Sequence, residues 1–270
     1  MLRSMFTAIS GLDAQQQMLD VTSNNIANSN TTGFKSSSTE FETALSQTLS
    51  SGGSATTNNA VGGTNATQIG LGVRLASTNQ NFTEGSAQAT GVPSNLMING
   101  DGFFMVSRGG QTSYTRAGGF TLDGSGHLVN TDGAEVEDTS GVPLDLSALN
   151  TGTYVSYSID QTGKVSAVNS SGVATTLGQI GLATFANPDG LVQNGDTEWS
   201  ASASSGAAQI GTPGSGSLGS LSSGYVEMSN TDLSTELTNL IVAERGFQAD
   251  SKVISTSDTV LQTLVNMTQG

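Results

Sequence analysis

Residues 2–27 read LRSMFTAISGLDAQQQMLDVTSNNIA, and their large apolar residues recur at alternating spacings of three and four. Residues 233–265, LSTELTNLIVAERGFQADSKVISTSDTVLQTLV, repeat this spacing at the other end of the chain. Such a heptad pattern places one apolar seam along each predicted helix. The two predicted seams comprise Leu2, Met5, Ile9, Leu12, Leu19 and Ile26, and Leu233, Leu237, Leu240, Phe247, Ile254, Leu261 and Val265.

The long middle of the chain is rich in Gly, Ser, Thr and Asn and has almost no helical pattern. Turn clusters such as Asn99–Gly102 and Asp123–Gly126 separate short apolar runs, which is typical of antiparallel strands. The runs Leu96–Ile98 and Phe103–Val106 flank the first cluster and predict a hairpin. The predicted fold class is therefore mainly β with α-helical termini. The N- and C-terminal helices would pair as a coiled coil, and flexible Gly/Ser linkers would join them to a central antiparallel β domain.

Five segments are expected along the chain. They are the N-terminal helix of an inner core domain (1–33), a linker segment (34–72), a central β domain (73–205), a return linker (206–228) and the C-terminal helix of the core domain (229–270). Asn28–Gly33 is predicted to stop the first helix, because Asn and Gly tolerate the left-handed conformation. Within the first linker, the pattern favours a short helix over Glu40–Leu49. The low-complexity stretch Ser50–Asn65 is typical of a flexible loop.

Composition excludes several classes of partner. The 270-residue chain has a net charge of −14. Nucleic acids and anionic membranes bind basic protein surfaces, and so acidic a chain is not expected to bind either of them. It contains no Cys, which excludes disulfides and thiolate metal sites. No stretch is apolar enough to predict a membrane span, and the N-terminal stretch lacks the apolar core of a secretory signal. We therefore expect no nucleic-acid partner, no membrane span and no cleaved signal peptide.

The sequence predicts no catalytic residue, no metal site and no cofactor. His127 is the sole histidine, and a surface position on a turn or strand is its simplest interpretation. Glycines at Gly70 and Gly100 predict turns, because no phosphate-binding fingerprint surrounds them. An acidic cluster has oxygen ligands that suit calcium but fits no EF-hand spacing, and it is interpreted as a solvated edge. That cluster consists of Asp132, Glu135, Glu137 and Asp138.

Three parts of the chain resemble motifs of the bacterial flagellar rod and hook proteins. They are Ser23–Lys35 near the start, Asn99–Phe104 with Tyr114–Gly118 in the middle, and Gly224–Asp258 near the end. The motifs occur in the family's order. The residues that carry the first motif are Asn24, Asn25, Asn28, Gly33, Phe34 and Lys35. The resemblance implies a structural protein, not an enzyme, that polymerises through its terminal helices.

Within this family, Asp232–Arg245 and Gln68–Gly72 are more similar to hook proteins. The chain is short for a hook protein, because longer members insert an outer domain for which there is no room here. The sequence-based interpretation is a subunit of the flagellar hook, a bendable tube that acts as a universal joint between rod and filament. A distal rod subunit of the basal body is the alternative, and a secreted adhesin-like β-domain protein is a remoter one.

The resemblance also implies partners and a location. The chain would form a helical homopolymer with itself, next to flagellar rod and hook–filament junction proteins, and would meet the hook cap and the export apparatus during assembly. The location would be the extracellular flagellum, in the hook or basal body. Phe41 and Leu45 resemble the element through which rod and hook subunits engage the export gate. Since an amphipathic helix pair cannot bury its seam alone, many copies would form an inner tube of helices with the β domains outside.

Overall fold

The computed structural model describes residues 2–53, 63–151 and 153–269. The chain forms two compact units. The helical unit contains the residues up to Ala27, Ser37–Asn79 and the residues from Asp232 onward; the β unit contains Asn28–Ser36 and Gln80–Thr231. Residues 37–53 and 63–72, which the sequence predicts as part of a linker, thus belong to the helical unit.

The helical unit holds two long helices, α1 (Leu2–Ala27) and α2 (Leu233–Gln269), among the described residues. Helix α1 ends directly before Asn28, as predicted from the Asn- and Gly-rich stretch. Asp232 caps α2, since its carboxylate Oδ1 accepts a hydrogen bond from the Ser234 N–H at 2.9 Å. Hydrogen bonds from Ser234 and Thr235 hold the pKa of this exposed carboxyl below its ordinary value. No helix in the described ranges has the length and apolarity that a membrane crossing requires.

The helical unit also contains a long antiparallel ribbon. Its strands are β1 (Ser37–Thr43), β2 (Ser46–Ser50), β3 (Thr67–Gly70) and β4 (Val73–Gln80). Strand β1 pairs with β4, and β2 pairs antiparallel with β3. Backbone hydrogen bonds from Ala44 to Gly72 (2.8 Å) and from Leu71 to Leu45 (3.0 Å) connect the two pairs. A bridge between Gly53 and Thr64 continues the ribbon toward its tip.

The predicted short helix over Glu40–Leu49 is wrong, because this stretch forms β1 and β2. Exposed and half-buried residues alternate along β1, which matches a strand period of two. The i, i+4 spacing of Phe41, Leu45 and Leu49 was too short a signal to outweigh pairing with a distant strand. Of the predicted Ser50–Asn65 loop, residues 54–62 lie outside the described residues.

The β unit is built from short strands. They are β5 (Ala87–Ala89), β6 (Leu96–Asn99), β7 (Phe103–Arg108), β8 (Gln111–Thr115), β9 (Thr121–Leu122), β10 (Leu128–Val129), β11 (Glu135–Val136), β12 (Tyr154–Ile159), β13 (Lys164–Asn169), β14 (Ala174–Gln179), β15 (Leu182–Thr184), β16 (Val192–Gly195), β17 (Glu198–Ser200), β18 (Gln209–Gly211), β19 (Ser220–Ser223) and β20 (Tyr225–Glu227). Residues 206–228, predicted as a return linker, thus contain three strands, and Leu221 and Val226 in them are buried.

The largest sheet runs in the order β16-β17-β8-β7-β11-β10-β9, and β15 pairs with both β7 and β18. Strands β12, β13 and β14 form an antiparallel meander. Strand β19 pairs with β6, and β20 pairs with β5, both antiparallel. The predicted mainly β architecture with helical termini is confirmed. The predicted hairpin of Leu96–Ile98 with Phe103–Val106 is wrong, because β6 pairs with β19 and β7 pairs with β8, β11 and β15.

Two apolar clusters hold the β unit together. Phe103 and Phe104 are neighbours on β7, and strand alternation sends their side chains to opposite faces of the sheet. Phe104 belongs to the larger cluster and packs edge-on against Phe120, with ring centroids 5.1 Å apart. Phe103 belongs to the smaller cluster and packs against Trp199 at 5.8 Å. The sheet is therefore covered by apolar side chains on both faces.

A buried carboxyl lies at the edge of this core. Glu137 follows β11, and the Thr112 hydroxyl donates a hydrogen bond of 2.9 Å to its Oε1 atom. Burial raises the pKa of Glu137, although hydrogen bonds from Thr112 and Ser107 oppose that rise. The folded state therefore binds a proton at this carboxyl more tightly than the unfolded state does.

Glu137 should make the β unit less stable as pH rises. Its contribution is fully present below the unfolded-state pKa of about 4.5 and is lost as pH rises through the higher folded-state pKa. Glu137→Gln keeps the acceptor for Thr112 but removes the titration. Urea unfolding followed by Trp199 fluorescence from pH 4 to 8 should show that the variant gains stability relative to the natural chain as pH increases. A constant difference between the two proteins across this range would contradict the assignment.

Candidate self-assembly surface

Helices α1 and α2 pack against each other in opposite directions. The Asn25 amide donates a hydrogen bond of 2.9 Å to Glu236 Oε1. Further along, a side chain at Gly246 would meet Gln15, and one at Gly11 would meet Asp250. Positions on α2 therefore fall one for one from 250 to 236 as those on α1 rise from 11 to 25. The terminal helices form an antiparallel pair.

Small and polar residues occupy the centre of the contact between the helices. The buried positions are Ala8, Ala14, Thr22 and Asn25 on α1, and Ala243 on α2. Small side chains let two helix backbones approach closely, and Gly11 and Gly246 face the partner helix in the same way. These positions are not part of the predicted seam, because a heptad pattern of large apolar residues does not include Ala or Gly. The recurrence of Ala and Gly at helical spacing is the signal that could have found them.

The predicted seam residues lie at the border of this contact or outside it. Met5, Leu12, Leu19, Ile26, Leu240, Ile254 and Leu261 are half-buried. Ile9, Leu233, Leu237, Phe247 and Val265 are exposed, and the Leu2 side chain lies outside the described residues. Within one chain, the pair therefore leaves much of the predicted seam uncovered.

Two stripes of exposed apolar side chains run along α2 outside its contact with α1. Leu233, Leu237 and Ile241 recur every four residues and form one stripe, in which Ile241 is 56% exposed. Val253 and Val260 lie seven residues apart and form the second stripe. A soluble monomer rarely exposes such continuous apolar surface unless a partner covers it. We call these two stripes the apolar flanks.

Helix α2 also extends beyond its partner. By the same register, Leu2 at the start of α1 faces position 259 of α2. Residues 260–269 then continue for about 15 Å, at roughly 1.5 Å per residue, past the described part of α1. The exposed apolar residues of this overhang are Val260, Leu264, Val265 and Met267. The overhang therefore enlarges the apolar surface that the helix pair leaves uncovered.

The first family motif has a structural role in each unit. In the helical unit, Asn25 is buried and brackets Ser37, whose N–H donates to Asn25 Oδ1 (3.0 Å) and whose carbonyl accepts from Asn25 Nδ2 (2.8 Å). Asn25 thus connects α1 to the start of β1 as well as to α2. In the β unit, Asn28 accepts a hydrogen bond from the Thr31 N–H at 3.1 Å and closes a turn. Asn24 is exposed on the last turn of α1.

The remaining motif residues are buried in the β unit. Gly33 has a φ of +70°, and its N–H donates a hydrogen bond of 2.8 Å to the Glu227 carbonyl. A Cβ at Gly33 would lie 2.4 Å from the Ala117 backbone nitrogen, which leaves no room for a side chain. Phe34 is buried, and the Lys35 ammonium donates to a Glu227 carboxylate oxygen at 2.6 Å. Burial lowers the pKa of Lys35, and the charge of Glu227 opposes this effect.

The candidate export element lies on the ribbon. Phe41 is half-buried in β1, whereas Leu45 follows β1 and is 83% exposed. The two residues are therefore on a strand and its extension, not on one face of a helix. Their role in export stays a prediction.

The residues weighed as catalytic or metal-binding candidates are exposed or half-buried except Glu137, which is buried, so the interpretation of the acidic cluster as a solvated edge is wrong for that residue. His127 Nδ1 lies 3.7 Å from Glu135 Oε1, both partly exposed. Among the described residues, the acidic side chains form no group with metal-ligand geometry. Gly100 has a φ of +108° in the turn before β7, and Gly70 ends β3.

Comparisons with known proteins agree with the motifs. Residues 5–35 match the family described as flagella basal body rod protein, residues 97–167 the D1 domain of flagellar hook protein FlgE/F/G, and residues 222–267 the C-terminal region of flagellar basal body rod FlgEFG proteins. These three matches cover the parts that carry the predicted resemblance.

Curated relatives match along the whole chain. The flagellar basal-body rod protein FlgG of Bacillus subtilis is 45% identical over 272 positions, covering 99% of both chains. FlgG of Borreliella burgdorferi is 36% identical and covers 97% of both. The flagellar hook protein FlgE of the latter organism is 27% identical, in an alignment that takes 442 positions to cover 99% of this chain and all of the relative. This chain belongs to the family of bacterial flagellar rod and hook proteins, which confirms the resemblance.

Gly33 provides a test of how the motif is built. Gly91 has nearly the same φ, +69°, but no atom lies within 4 Å of its hypothetical Cβ. Gly91→Ala should therefore cost only the left-handed backbone conformation, about 1–2 kcal/mol. Gly33→Ala adds a clash with backbone atoms and should cost about 1–3 kcal/mol more. Urea unfolding monitored by Trp199 fluorescence measures both; equal losses would show that Gly33 is needed for its φ alone.

Proposed function

We propose that this chain is a subunit of the distal rod of the bacterial flagellum and polymerises through its terminal helices. The observation that carries the proposal is the full-length match to basal-body rod proteins, at 34–45% identity in the B. subtilis and Buchnera aphidicola (subsp. Baizongia pistaciae) relatives. The hook relative aligns only by opening a long gap in this chain. These comparisons favour the distal-rod alternative over the hook, and the family assignment argues against an adhesin-like protein.

The surface of the helix pair supports polymerisation. Its buried centre is small and polar, so the large apolar residues of the flanks and the overhang face solvent in a single chain. Burying such side chains stabilises an assembly by about 25 cal/mol for each Å² of apolar surface removed from water. Further copies of the same chain carry the same stripes and are suitable partners. The predicted seam is thus proposed as the contact between copies as well as within one chain.

The partners follow from this assignment. The main partner is the chain itself in a helical homopolymer, with neighbouring rod and hook proteins at the ends of the polymer. The location is the basal body of the flagellum, and the export apparatus would handle the subunit before it assembles. The role is structural; the matched domains and relatives carry the names of flagellar structural proteins.

The shape of the polymer distinguishes rod from hook. Purified chain, concentrated until it polymerises, should form straight tubes in negative-stain images, because a rod transmits torque along a fixed axis. The same images would show curved tubes of varying pitch if the chain were a hook subunit. Curved tubes would therefore contradict the distal-rod proposal and favour the hook.

The apolar flanks should be required for assembly. Ile241→Asp places a charge where a neighbouring copy would bury it, and an unpaired buried charge is costly. Ile241→Leu keeps the site apolar and serves as the matched control. Both variants should keep the helical circular dichroism of the monomer, since residue 241 is exposed. Sedimentation should show polymers for Ile241→Leu and none for Ile241→Asp; equal polymerisation would rule out this flank as an assembly contact.

A further inference from the structure

Three charged side chains lie buried together in the β unit. The side chains of Lys35, Arg116 and Glu227 are 0%, 3% and 1% exposed. Each comes from a different part of the chain: the segment before β1, the segment after β8, and β20. Lys35 and Glu227 are 192 residues apart in sequence. This ion cluster therefore joins three distant segments.

Glu227 is the common partner of both cations. Its Oε1 atom accepts hydrogen bonds from the Lys35 ammonium at 2.6 Å and from the Gly85 N–H at 2.8 Å. Its Oε2 atom lies 3.5 Å from Arg116 Nη1. Lys35 has one further acceptor, the Thr83 carbonyl at 2.6 Å. The guanidinium of Arg116 also lies against the Phe103 ring, 5.4 Å from its centroid.

The cluster holds more positive than negative charge. Two buried cations share one buried carboxylate, whereas the nearby acids Glu84 and Asp101 are exposed. Burial lowers the pKa of both Lys35 and Arg116, and the Glu227 charge is the largest effect that opposes it. Without Glu227, both cations would be buried with no carboxylate beside them, and a buried charge that loses its partner is strongly destabilising.

Glu227 comes later in the chain than both Lys35 and Arg116, so the stability that it confers is available only once the last strand is present. Lys35 and Arg116 belong to segments that precede most of the β unit, whereas β20 is its final strand. Strand β20 pairs with β5, and the preceding β19 pairs with the buried strand β6. A chain that lacks this last segment has both cations but not their counter-charge.

We propose that Glu227 is the closing counter-ion of the β unit, so that the unit becomes stable only when the C-terminal segment brings this carboxylate to Lys35 and Arg116. The consequence for assembly rests on the proposed function. A subunit that is exported unfolded must not fold before export, and a β unit that stays unstable without its last strand meets that requirement. The charge dependence itself is a property of the monomer and can be tested without polymerisation.

The test uses the full-length chain below its polymerisation concentration. Trp199 is the sole tryptophan, is buried in the β unit and packs near Phe103, so its fluorescence reports the unfolding of this unit. Glu227→Gln removes the negative charge at nearly constant shape, and it therefore imitates a β unit that lacks its counter-ion. Glu84→Gln removes an exposed carboxylate near the same cations and is the matched control. The triple variant Lys35→Met, Arg116→Met and Glu227→Gln removes all three charges.

In urea unfolding, Glu227→Gln should raise the unfolding equilibrium constant about a hundredfold or more relative to Glu84→Gln, or leave Trp199 unfolded without urea. The triple variant should fold and recover most of that loss, since it buries no unpaired cation. Two results would overturn the proposal. One is a Glu227→Gln protein within about fivefold of the control, and the other is a triple variant no more stable than Glu227→Gln. Neither result bears on whether the chain forms rods, which the images of the polymer decide.

Discussion

The antiparallel contact between the terminal helices is the constraint on which the proposed assembly of this protein depends. Ala8, Ala14 and Ala243 fill its centre, with Gly11 and Gly246 facing the partner helix. Small residues allow close approach but bury little apolar area. The large residues, Leu237 and Ile241 among them, are left on the flanks. A helix pair of this composition leaves apolar surface exposed in a single chain, and under the proposed function further copies would cover it.

The β unit follows a different principle. Its sheet is covered on both faces, and Phe103 and Phe104 anchor one apolar cluster each. Closure of this unit brings together residues from both sides of its sequence, through Gly33 and Lys35 on one side and Glu227 on the other. One residue from each of the three family motifs, Lys35, Arg116 and Glu227, therefore belongs to the same buried cluster.

The elements of the fold that the sequence predicted well are those determined by residues close together in the chain. The bounds of α1 follow from its apolar period and from the Asn- and Gly-rich stop after Ala27. The long ribbon was missed because each of its strands is stabilised by a partner far along the chain, and the spacing of Phe41 and Leu45 imitates a helix. The hairpin at Asn99 failed for the same reason, since β6 finds β19 at the end of the unit. Pairings of this kind have no signature in a single sequence.

The candidate surface was predicted in outline but not in detail. The heptad pattern predicted both helices, and the seam residues Leu233 and Leu237 are exposed in one chain, whereas Ala243 is buried. The role of the predicted seam in self-assembly stays a prediction. Hydrophobicity alone does not distinguish an apolar stripe that a helix buries within its own chain from one that contacts a second chain. The preference for a hook came from short local similarities, such as Gln68–Gly72, which carry less information than agreement along the full length. The buried cluster of Lys35, Arg116 and Glu227 could not be foreseen, because charged residues usually lie at the surface.

The central claim is that the apolar flanks are open in the monomer and covered in the polymer. Since the chain has no cysteine, Ile241→Cys creates a single thiol on one flank. Its alkylation rate, divided by the rate for the same variant in urea, measures how accessible that position is. We expect rapid alkylation in the monomer and a rate lower by about tenfold or more in the polymer, because packed interfaces exclude the reagent. Equal rates in monomer and intact polymer would contradict the account.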